Sequence, residues 1–347
     1  MNAETHAVTG IATFEVKFDA GSSVPSKRIY ANGRMQTRVL VMIRGKDGQG
    51  NEVPLDATTL SKIKLIRYNG GDDLQGGWSA SKTENSYEHE FPSLVFSDND
   101  LQEFGAKQAD FDIETVHEQL EVERGGVNPA GHATAQIEPQ RVDFWVTTSS
   151  TGTLQIAAAV TLPGGAVVKT NNTGTPGMTF NSSVTVEGKT PESYSIEAFK
   201  FDEVLKQGNT DTEYRTYNYY IGLFPAGRQL KLVKWFHANG GTGDGQYWFY
   251  GSGKVDHWHT IALNGWLNQT GRSKWEVTTS SGRYLSVPIN DRSGQITVTQ
   301  FINRKNWYLT SVKTGNFDFS VHDLYGTEHR LRIRTVISDR AFILEKR

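Results

Sequence analysis

The sequence predicts an all-β protein, built from antiparallel β-sandwich domains in series with little helix. Segments in which apolar and polar residues alternate recur along the chain, as in FEVKF (14–18), RVLVMIRG (38–45), YSIEAFKF (194–201) and HRLRIRTV (329–336). Gly, Asn, Asp and Pro bound these segments, which is the pattern of half-buried antiparallel strands joined by turns. Because turn signals recur every ~8 to 12 residues, sandwiches are favoured over a parallel α/β sheet.

The length of 347 residues suits two or three domains. Helical periodicity is confined to DATTLSKI (56–63) and DNDLQEFGAKQ (98–108), so helix is a minor component. The predicted division is a β-sandwich over 8–97, a connector over 98–110, a second β-sandwich over 111–202, and a larger aromatic-rich β domain over 203–347 that forms one domain or two.

The composition excludes several classes of protein. The chain has no cysteine, which rules out disulfides, thiolate zinc sites and a cysteine nucleophile. No apolar run approaches the ~20 residues of a membrane-spanning helix, and no secretory signal pattern opens the sequence. We therefore expect synthesis in the cytoplasm without a signal peptide. A role outside the cell would then require lysis, a dedicated export machine, or prior processing to this mature form.

The formal net charge of −2 is unevenly distributed. Residues 84–143 carry 14 acidic against 3 basic side chains, whereas 16–67 carry 10 basic against 4 acidic and 304–347 carry 9 basic against 5 acidic. Solvated faces explain such runs. Alternatively, the basic end regions meet the acidic middle of the same or a neighbouring chain. Neither basic region is dense enough to follow a nucleic-acid backbone, so we expect no nucleic-acid partner.

The segment IYANGRMQTRVLVMIRGKDGQGNEVPL (29–55) combines an Ala-Asn-Gly turn, a long alternating strand, and a polar turn that leads into Val53-Pro54. Asn and Gly supply the turn conformations, and Pro54 at a strand start removes no ladder hydrogen bond. This segment resembles the bacterial immunoglobulin-like modules of invasin and intimin type. The resemblance implies an immunoglobulin-like sandwich used as a spacer or presentation module without catalysis, and it covers this segment alone.

The common catalytic motifs are absent from the sequence or incomplete in it. GSGKV (251–255) is not a phosphate-binding loop, because Trp248 stands where the first Gly would be and Val255 where Ser or Thr would bind Mg²⁺. The sequence also contains no G-x-S-x-G elbow and no H-E-x-x-H helix. We therefore expect a protein that is not an enzyme and needs no cofactor.

One aromatic cluster stands out, around QYWFYGSGKVDHWH (246–259). Since strand side chains alternate, an aromatic pair of this run must lie outside the sandwich interior and needs a cover. Another domain or subunit, a sugar and a membrane interface all suit such rings. The candidate ligand-binding residues are Trp235, Tyr247, Trp248, Tyr250 and Trp258.

His257 and His259 are the candidate metal ligands. Two residues apart on a strand, they would project to the same face, and an imidazole pair at that spacing can chelate a divalent ion. The site would need a third ligand, from Asp256 or from His237 across a hairpin. Ordinary surface histidines are the alternative.

Two functions remain open from sequence alone. One is a non-enzymatic structural or adhesive protein that binds a protein partner or assembles with itself, including as a part of a phage-like particle or injection system. The other is a carbohydrate- or host-receptor-binding protein, such as a secreted toxin component, in which the exposed aromatic rings stack on a glycan or a cell-surface receptor.

Overall fold

A computed structural model describes most of the chain: 8–19, 24–92, 138–174, 179–208, 214–237, 247–254, 260–278, 282, 284–305 and 315–347. The described residues are nearly all β, which confirms the predicted fold class, and they form two sandwiches and one additional hairpin. Among these residues, no helix has the length and apolar character that a membrane span requires.

The first sandwich consists of two five-stranded sheets. One sheet contains β1 (Gly10–Lys17), β3 (Thr37–Lys46), β4 (Glu52–Val53), β6 (Trp78–Ser81) and β7 (Gln140–Thr148), in the order β1-β3-β7-β6 with β4 paired to β3. The other contains β2 (Ser26–Tyr30), β5 (Lys64–Arg67), β8 (Gly152–Thr161), β9 (Val167–Lys169) and β10 (Val184–Lys189), in the order β2-β10-β8-β5 with β9 paired to β8. The β2–β10 pair is parallel, whereas the others are antiparallel.

The structure differs from the predicted division of the first 202 residues. The ranges 8–97 and 111–202 do not form separate sandwiches, because β3 pairs with β7 and β5 pairs with β8. The physical reason is the core: Val39 on β3 and Ile156 on β8 are both fully buried in a single hydrophobic cluster to which both ranges contribute. The predicted connector, 98–110, lies outside the described residues.

The segment 29–55 has the predicted order of turn, strand and turn. Asn32 closes the first turn, because its Oδ1 accepts hydrogen bonds from the N–H groups of Arg34 and Met35. Asp47 closes the second in the same way, accepting from the N–H groups of Gln49 and Asn51. Side-chain acceptors of this kind fix a turn without help from a neighbouring strand.

The short helix predicted at 56–63 is confirmed as α1 (Ala57–Ser61). Asp56 is its N-cap, and its carboxylate accepts a hydrogen bond from the backbone N–H of Thr59 at 2.7 Å. That bond satisfies a donor that the first turn of a helix leaves without a partner.

The second sandwich lies within 199–346. Its larger sheet contains β11 (Phe199–Gln207), β12 (Tyr214–Leu223), β14 (Tyr247–Lys254), β15 (Thr260–Leu267) and β18 (Ile296–Lys305), in the order β11-β12-β18-β15-β14. Its smaller sheet contains β13 (Leu232–His237), β19 (Asn316–Asp323), β20 (Glu328–Val336) and β21 (Ala341–Lys346), in that order. Short 3₁₀ turns occur at Ile196–Ala198 and Pro225–Gly227.

A hairpin of β16 (Lys274–Thr278) and β17 (Tyr284–Pro288) covers the outer face of the larger sheet. Trp275 of this hairpin is 1% exposed, and its ring centroid lies 4.9 Å from that of Trp266 on β15 and 6.4 Å from that of Phe301 on β18. Trp266 and Phe301 point away from the sandwich interior, which contains Leu263 and Val298 instead. A neighbouring part of the same chain therefore covers these outward rings.

Candidate functional site

The turn between β19 and β20 is where the second sandwich meets the first. Asp323 shapes this turn, because its Oδ1 accepts hydrogen bonds from the N–H groups of Tyr325 and Thr327, each at 2.9 Å. Its Oδ2 lies 3.0 Å from Nε2 of His329, and both side chains are buried. Gly326 has a φ of 78°, in the left-handed region that glycine adopts without strain. The turn is thus held in one shape by its own residues.

Polar and aromatic contacts join this turn to the first sandwich. Nδ2 of Asn32 donates to the carbonyl oxygen of Tyr325 at 2.9 Å, and the N–H of Glu88 donates to the carbonyl oxygen of Leu324 at 2.9 Å. The rings of Tyr30 and Tyr325 meet edge to face, with centroids 5.7 Å apart. Because backbone groups of both sandwiches take part, these contacts fix the position of one sandwich relative to the other as well as holding them together.

Tyr87 and His322 form a further bond across the junction. The Tyr87 hydroxyl lies 2.7 Å from Nδ1 of His322, and His322 is only 4% exposed. Burial, and next the nearby cation of Arg34, lower the pKa of His322 from 6.5 to about 4, whereas burial raises the pKa of Tyr87. At neutral pH the imidazole is therefore uncharged and the phenol keeps its proton, so the bond joins two neutral groups.

An open cleft of about 770 Å³ lies beside this bond. Both sandwiches line it with aromatic, cationic and hydroxyl-bearing side chains: Arg34, Tyr87, Phe236, His237, Phe319, Ser320, His322, Glu328, Arg330 and Arg347. Its volume falls in the range of about 300–1,000 Å³ that is usual for small-ligand sites. The cleft is our candidate functional site.

Cations outnumber anions in the lining. The Arg330 side chain is 70% exposed, with Nε 3.3 Å from Oε1 of Glu328. The Arg347 side chain is 52% exposed, with Nη1 3.2 Å from Oδ2 of Asp318. Nη2 of Arg34 lies 3.6 Å from the other oxygen of Glu328. Asp318 is also bonded by Arg332 through two hydrogen bonds, so four guanidinium groups share two carboxylates, which leaves the cleft positive.

Glu328 stays ionised among these cations. Burial works in the opposite direction, but hydrogen bonds from the Ser320 hydroxyl and from Arg330 hold the pKa of Glu328 below its usual value. The Ser320 bond is 2.8 Å long. The carboxylate therefore orients the Ser320 hydroxyl and one edge of the Arg330 guanidinium.

Phe236 forms an aromatic wall of the cleft. Its half-buried ring lies 4.3 Å from the ring of His322 between centroids, at an angle of 41°. The preceding residue, Trp235, points the other way: it is 3% exposed in the core, and its Nε1 donates to the carbonyl oxygen of Asn268 at 2.9 Å. Trp235 was predicted as a ligand-binding residue, which requires an exposed ring, and the structure places this ring in the interior. Strand alternation places Phe236 on the face opposite to Trp235.

The other predicted binding residues can be followed only in part. The backbone of β14 pairs Trp248 with Trp266 and Tyr250 with Asn264 on β15, and Tyr247 begins the same strand. The side chains of Tyr247, Trp248 and Tyr250 lie outside the described part of the chain, as does all of Trp258. Their ligand-binding role stays a prediction.

The metal prediction also falls outside the described residues, since both His257 and His259 do. Within the part of the chain that the structure describes, no group of three or more His, Asp or Glu side chains could hold a metal ion. His237, the suggested third ligand, lines the cleft instead, with its ring centroid 5.5 Å from that of Phe317.

One sequence signal pointed toward the cleft. The basic excess in 16–67 and in 304–347 includes Arg34, Arg330 and Arg347, which the fold gathers into one lining. Charge counts revealed the two basic regions, but only the β19–β20 turn shows that they meet.

Comparisons with known proteins show no relationship in sequence, since no family model and no curated protein matches the chain. Solved structures give distant matches. The C-terminal domain of the AgI/II polypeptide BspA of Streptococcus agalactiae is 12% identical, with 96% of this chain and 99% of that chain covered and a TM-score of 0.20. The Yersinia pseudotuberculosis adhesin InvE is 9% identical, with coverages of 94% and 60% and a TM-score of 0.16.

A third match is the C-terminal domain of the Streptococcus pyogenes antigen I/II-family protein AspA, 10% identical, with coverages of 96% and 98% and a TM-score of 0.19. All three are bacterial proteins, and InvE is named as an adhesin. TM-scores of this size do not establish a shared fold, so the function proposed below depends on the site alone.

Proposed function

We propose that this protein is a non-enzymatic adhesive protein that binds its partner through the cleft between the two sandwiches. The observation that carries the proposal is the composition of that cleft: side chains from both sandwiches meet there, and they combine an aromatic wall with exposed cations. Clefts at domain junctions with a few convergent polar groups are preferred binding sites in proteins.

The chemistry of the cleft favours binding over catalysis. The Ser320 hydroxyl donates to Glu328, whose carboxylate is held by Arg330 rather than left free as a base. His322, with a pKa of about 4, is a weak base at neutral pH. General acid–base catalysis is most effective when the pKa lies near the working pH, and this imidazole is far from it.

The junction also suits adhesion mechanically. Hydrogen bonds from Asn32 and Glu88 and the Tyr87–His322 bond join the two sandwiches that line the cleft, so the cleft keeps its shape only while the sandwiches stay together. A binding site whose walls are already in place loses less conformational entropy when it is occupied.

The test is adhesion of the full chain, immobilised on beads, to cultured cell layers and to a printed glycan array. In the variant Ser320→Trp the indole would occupy the cleft, and we expect adhesion to fall at least tenfold. Ser286→Trp is the matched control: Ser286 is an exposed strand residue that also bonds to a cross-strand carboxylate, Oε1 of Glu276 at 3.4 Å, but it lies on β17 away from the cleft.

Equal adhesion by wild type and Ser320→Trp would refute the proposal. Self-association of the wild type that the same substitution leaves unchanged, measured by light scattering, would instead favour a structural part of a larger assembly, such as a phage-like particle or an injection system.

A further inference from the structure

We propose that the junction cleft binds a sugar that carries a carboxylate, such as a uronic or sialic acid residue; this inference rests on the proposed function, because it names the ligand of the same cleft. Three features of the lining carry it: guanidinium groups with free donors, neutral polar groups, and the ring of Phe236.

The exposed guanidinium groups of Arg330 and Arg347 have donors to spare. Each contacts one protein carboxylate through a single nitrogen, Nε in Arg330 and Nη1 in Arg347. A guanidinium has five N–H donors, so most of them remain available at each residue. Arginine binds carboxylates through two parallel hydrogen bonds where geometry allows, and these charge-assisted bonds are about twice as strong as neutral ones. The cleft can therefore hold a ligand carboxylate at its arginine side.

Neutral polar groups suited to sugar hydroxyls line the same cleft. The Tyr87 hydroxyl is hydrogen-bonded to Nδ1 of His322, and among the described residues Nε2 of His322 has no hydrogen-bond partner. The His322 ring lines the cleft even though the residue is almost fully buried. An uncharged imidazole nitrogen either donates to or accepts from a hydroxyl, according to its tautomer. A sugar hydroxyl would satisfy this nitrogen.

Phe236 supplies an apolar wall for the sugar ring. Its ring is half-buried, and the contact with His322 restrains one side of it. The carbon-bound hydrogens of a pyranose form an apolar face, and large flat aromatic side chains bury such faces well. A free phosphate would leave this wall unused, because it has no apolar face.

The charge balance sets the number of negative groups on the ligand. Glu328 lies in the lining and stays ionised, so a polyanion would place like charges close together. A neutral sugar would leave the exposed arginines without a ligand counter-charge. A sugar with a single carboxylate satisfies both conditions, and its pyranose ring fits within about 770 Å³.

The experiment is calorimetric titration of the full chain with glucuronic acid and with N-acetylneuraminic acid, each beside its uncharged methyl ester. We expect at least one acid to bind at least about tenfold more tightly than its ester, since hydrogen bonds to charged groups are the stronger class. Inorganic phosphate and tetraglutamate serve as probes for the other anions that arginines can hold.

Arg330→Gln removes one guanidinium, and we expect it to weaken acid binding at least about tenfold without changing ester binding. Arg28→Gln is the matched control. Arg28 is 62% exposed and lies 3.5 Å from a cross-strand carboxylate, Glu187, much as Arg330 lies beside Glu328. It is on β2, outside the cleft lining, and we expect no change in either affinity.

Equal affinity for acid and ester, or an Arg330→Gln variant that binds the acid normally, would overturn the inference. Tighter binding of phosphate or tetraglutamate than of either acid would also overturn it and identify a different anion. If no sugar binds while adhesion still depends on the cleft in the Ser320→Trp test, this inference fails and the proposed function stands. Adhesion that is indifferent to Ser320→Trp removes the proposed function itself.

Discussion

The core of the first sandwich is one cluster of aliphatic and aromatic side chains, whereas the second sandwich also buries polar side chains that hydrogen-bond to one another beneath a hairpin. In the first, residues such as Val41, Ile43 and Val186 are fully buried in one cluster. In the second, Asn218 and Thr299 on the outer face of the larger sheet are equally buried. Alternation along a strand therefore does not by itself say which face meets water.

The polar set of the second sandwich is closely connected. Oγ1 of Thr299 donates to Oδ1 of Asn218 at 3.0 Å and accepts from Nδ2 of Asn268 at 2.8 Å. Nδ2 of Asn218 donates to the carbonyl oxygen of Pro288, at the end of the covering hairpin, at 2.7 Å. The Asn218–Pro288 bond thus adds a directional contact to the apolar packing that holds the hairpin on the sheet. Together, the bonds satisfy polar groups that would be costly to bury without a partner.

We expect the largest loss of stability from a substitution in the apolar core of the first sandwich. Phe14 is 1% exposed, and Phe14→Ala removes its ring from the cluster, so we expect a loss of about 3–5 kcal/mol in the free energy of unfolding. Urea denaturation followed by tryptophan fluorescence measures this loss. Tyr284→Ala, at a side chain that is 60% exposed, is the control and should change stability by less than about 0.5 kcal/mol. A loss below about 1 kcal/mol for Phe14→Ala would mean that this ring is not tightly packed in the core.

The next prediction separates the two sandwiches at the turn that joins them. A Cβ at Gly326 would lie 2.8 Å from Cβ of Arg34 and 3.3 Å from the ring of Tyr87, and its φ of 78° is itself unfavourable for alanine. Gly50→Ala is the matched control, since Gly50 has a φ of 87° but nothing within 4 Å of the added carbon. Backbone strain of about 1–2 kcal/mol is common to both variants.

We expect Gly326→Ala to cost more than Gly50→Ala, and to make the sandwiches unfold in two transitions in scanning calorimetry. Equal costs for the two variants, with one shared transition in each, would show that the turn does not couple the sandwiches. The two sandwiches would then be units that meet without depending on each other for stability.

The sequence predicted the strands well because their signal is local. Alternation and turn residues identified β3 and the turns around Asn32 and Asp47, where side-chain acceptors act on neighbours in the chain. The pairing of β3 with β7 across the range 47–139 has no such local signal. For that reason the first two predicted domains proved to be one sandwich.

The candidate site was less predictable, because its residues come from distant parts of the sequence. Tyr87 and His322 are 235 positions apart and neither belongs to a recognisable motif. The aromatic cluster predicted Trp235 as a binding residue, but Trp235 is buried in the core, and its outward neighbour Phe236 forms the cleft wall. The choice between these two faces depends on which sheet lies opposite β13, and no spacing in the chain encodes that.

A third prediction compares one polar side chain in each sandwich. Thr299→Val removes the hydroxyl that joins Asn218 to Asn268, so we expect a loss of about 1–3 kcal/mol from the buried groups left without a partner. Thr37→Val is the counterpart in the first sandwich. Oγ1 of Thr37 is buried and has no hydrogen-bond partner among the described residues, so its removal should be neutral or stabilising. Urea midpoints measure both, and equal losses would erase the difference between the sandwiches.

The stability of the folded chain should depend on pH, because the junction buries the imidazole of His322. The pKa of His322 is about 4 in the folded chain against 6.5 ordinarily, lowered first by burial and then by Arg34. The unfolded chain therefore binds a proton that the folded chain does not as the pH falls through this window. Stability is fully present above pH 6.5 and falls toward pH 4, with a slope of at most about 1.4 kcal/mol per pH unit.

His322→Gln keeps a polar group beside the Tyr87 hydroxyl but cannot titrate, so its stability should change less than that of the wild type between about pH 5 and 7. Lys234 and Arg34 disfavour a proton on the imidazole, whereas Glu328 favours one. The lowered pKa of Glu328 adds a loss of stability at lower pH, which both proteins share. The difference between the two urea midpoints therefore isolates His322, and parallel pH profiles would mean that folding does not lower the pKa of His322.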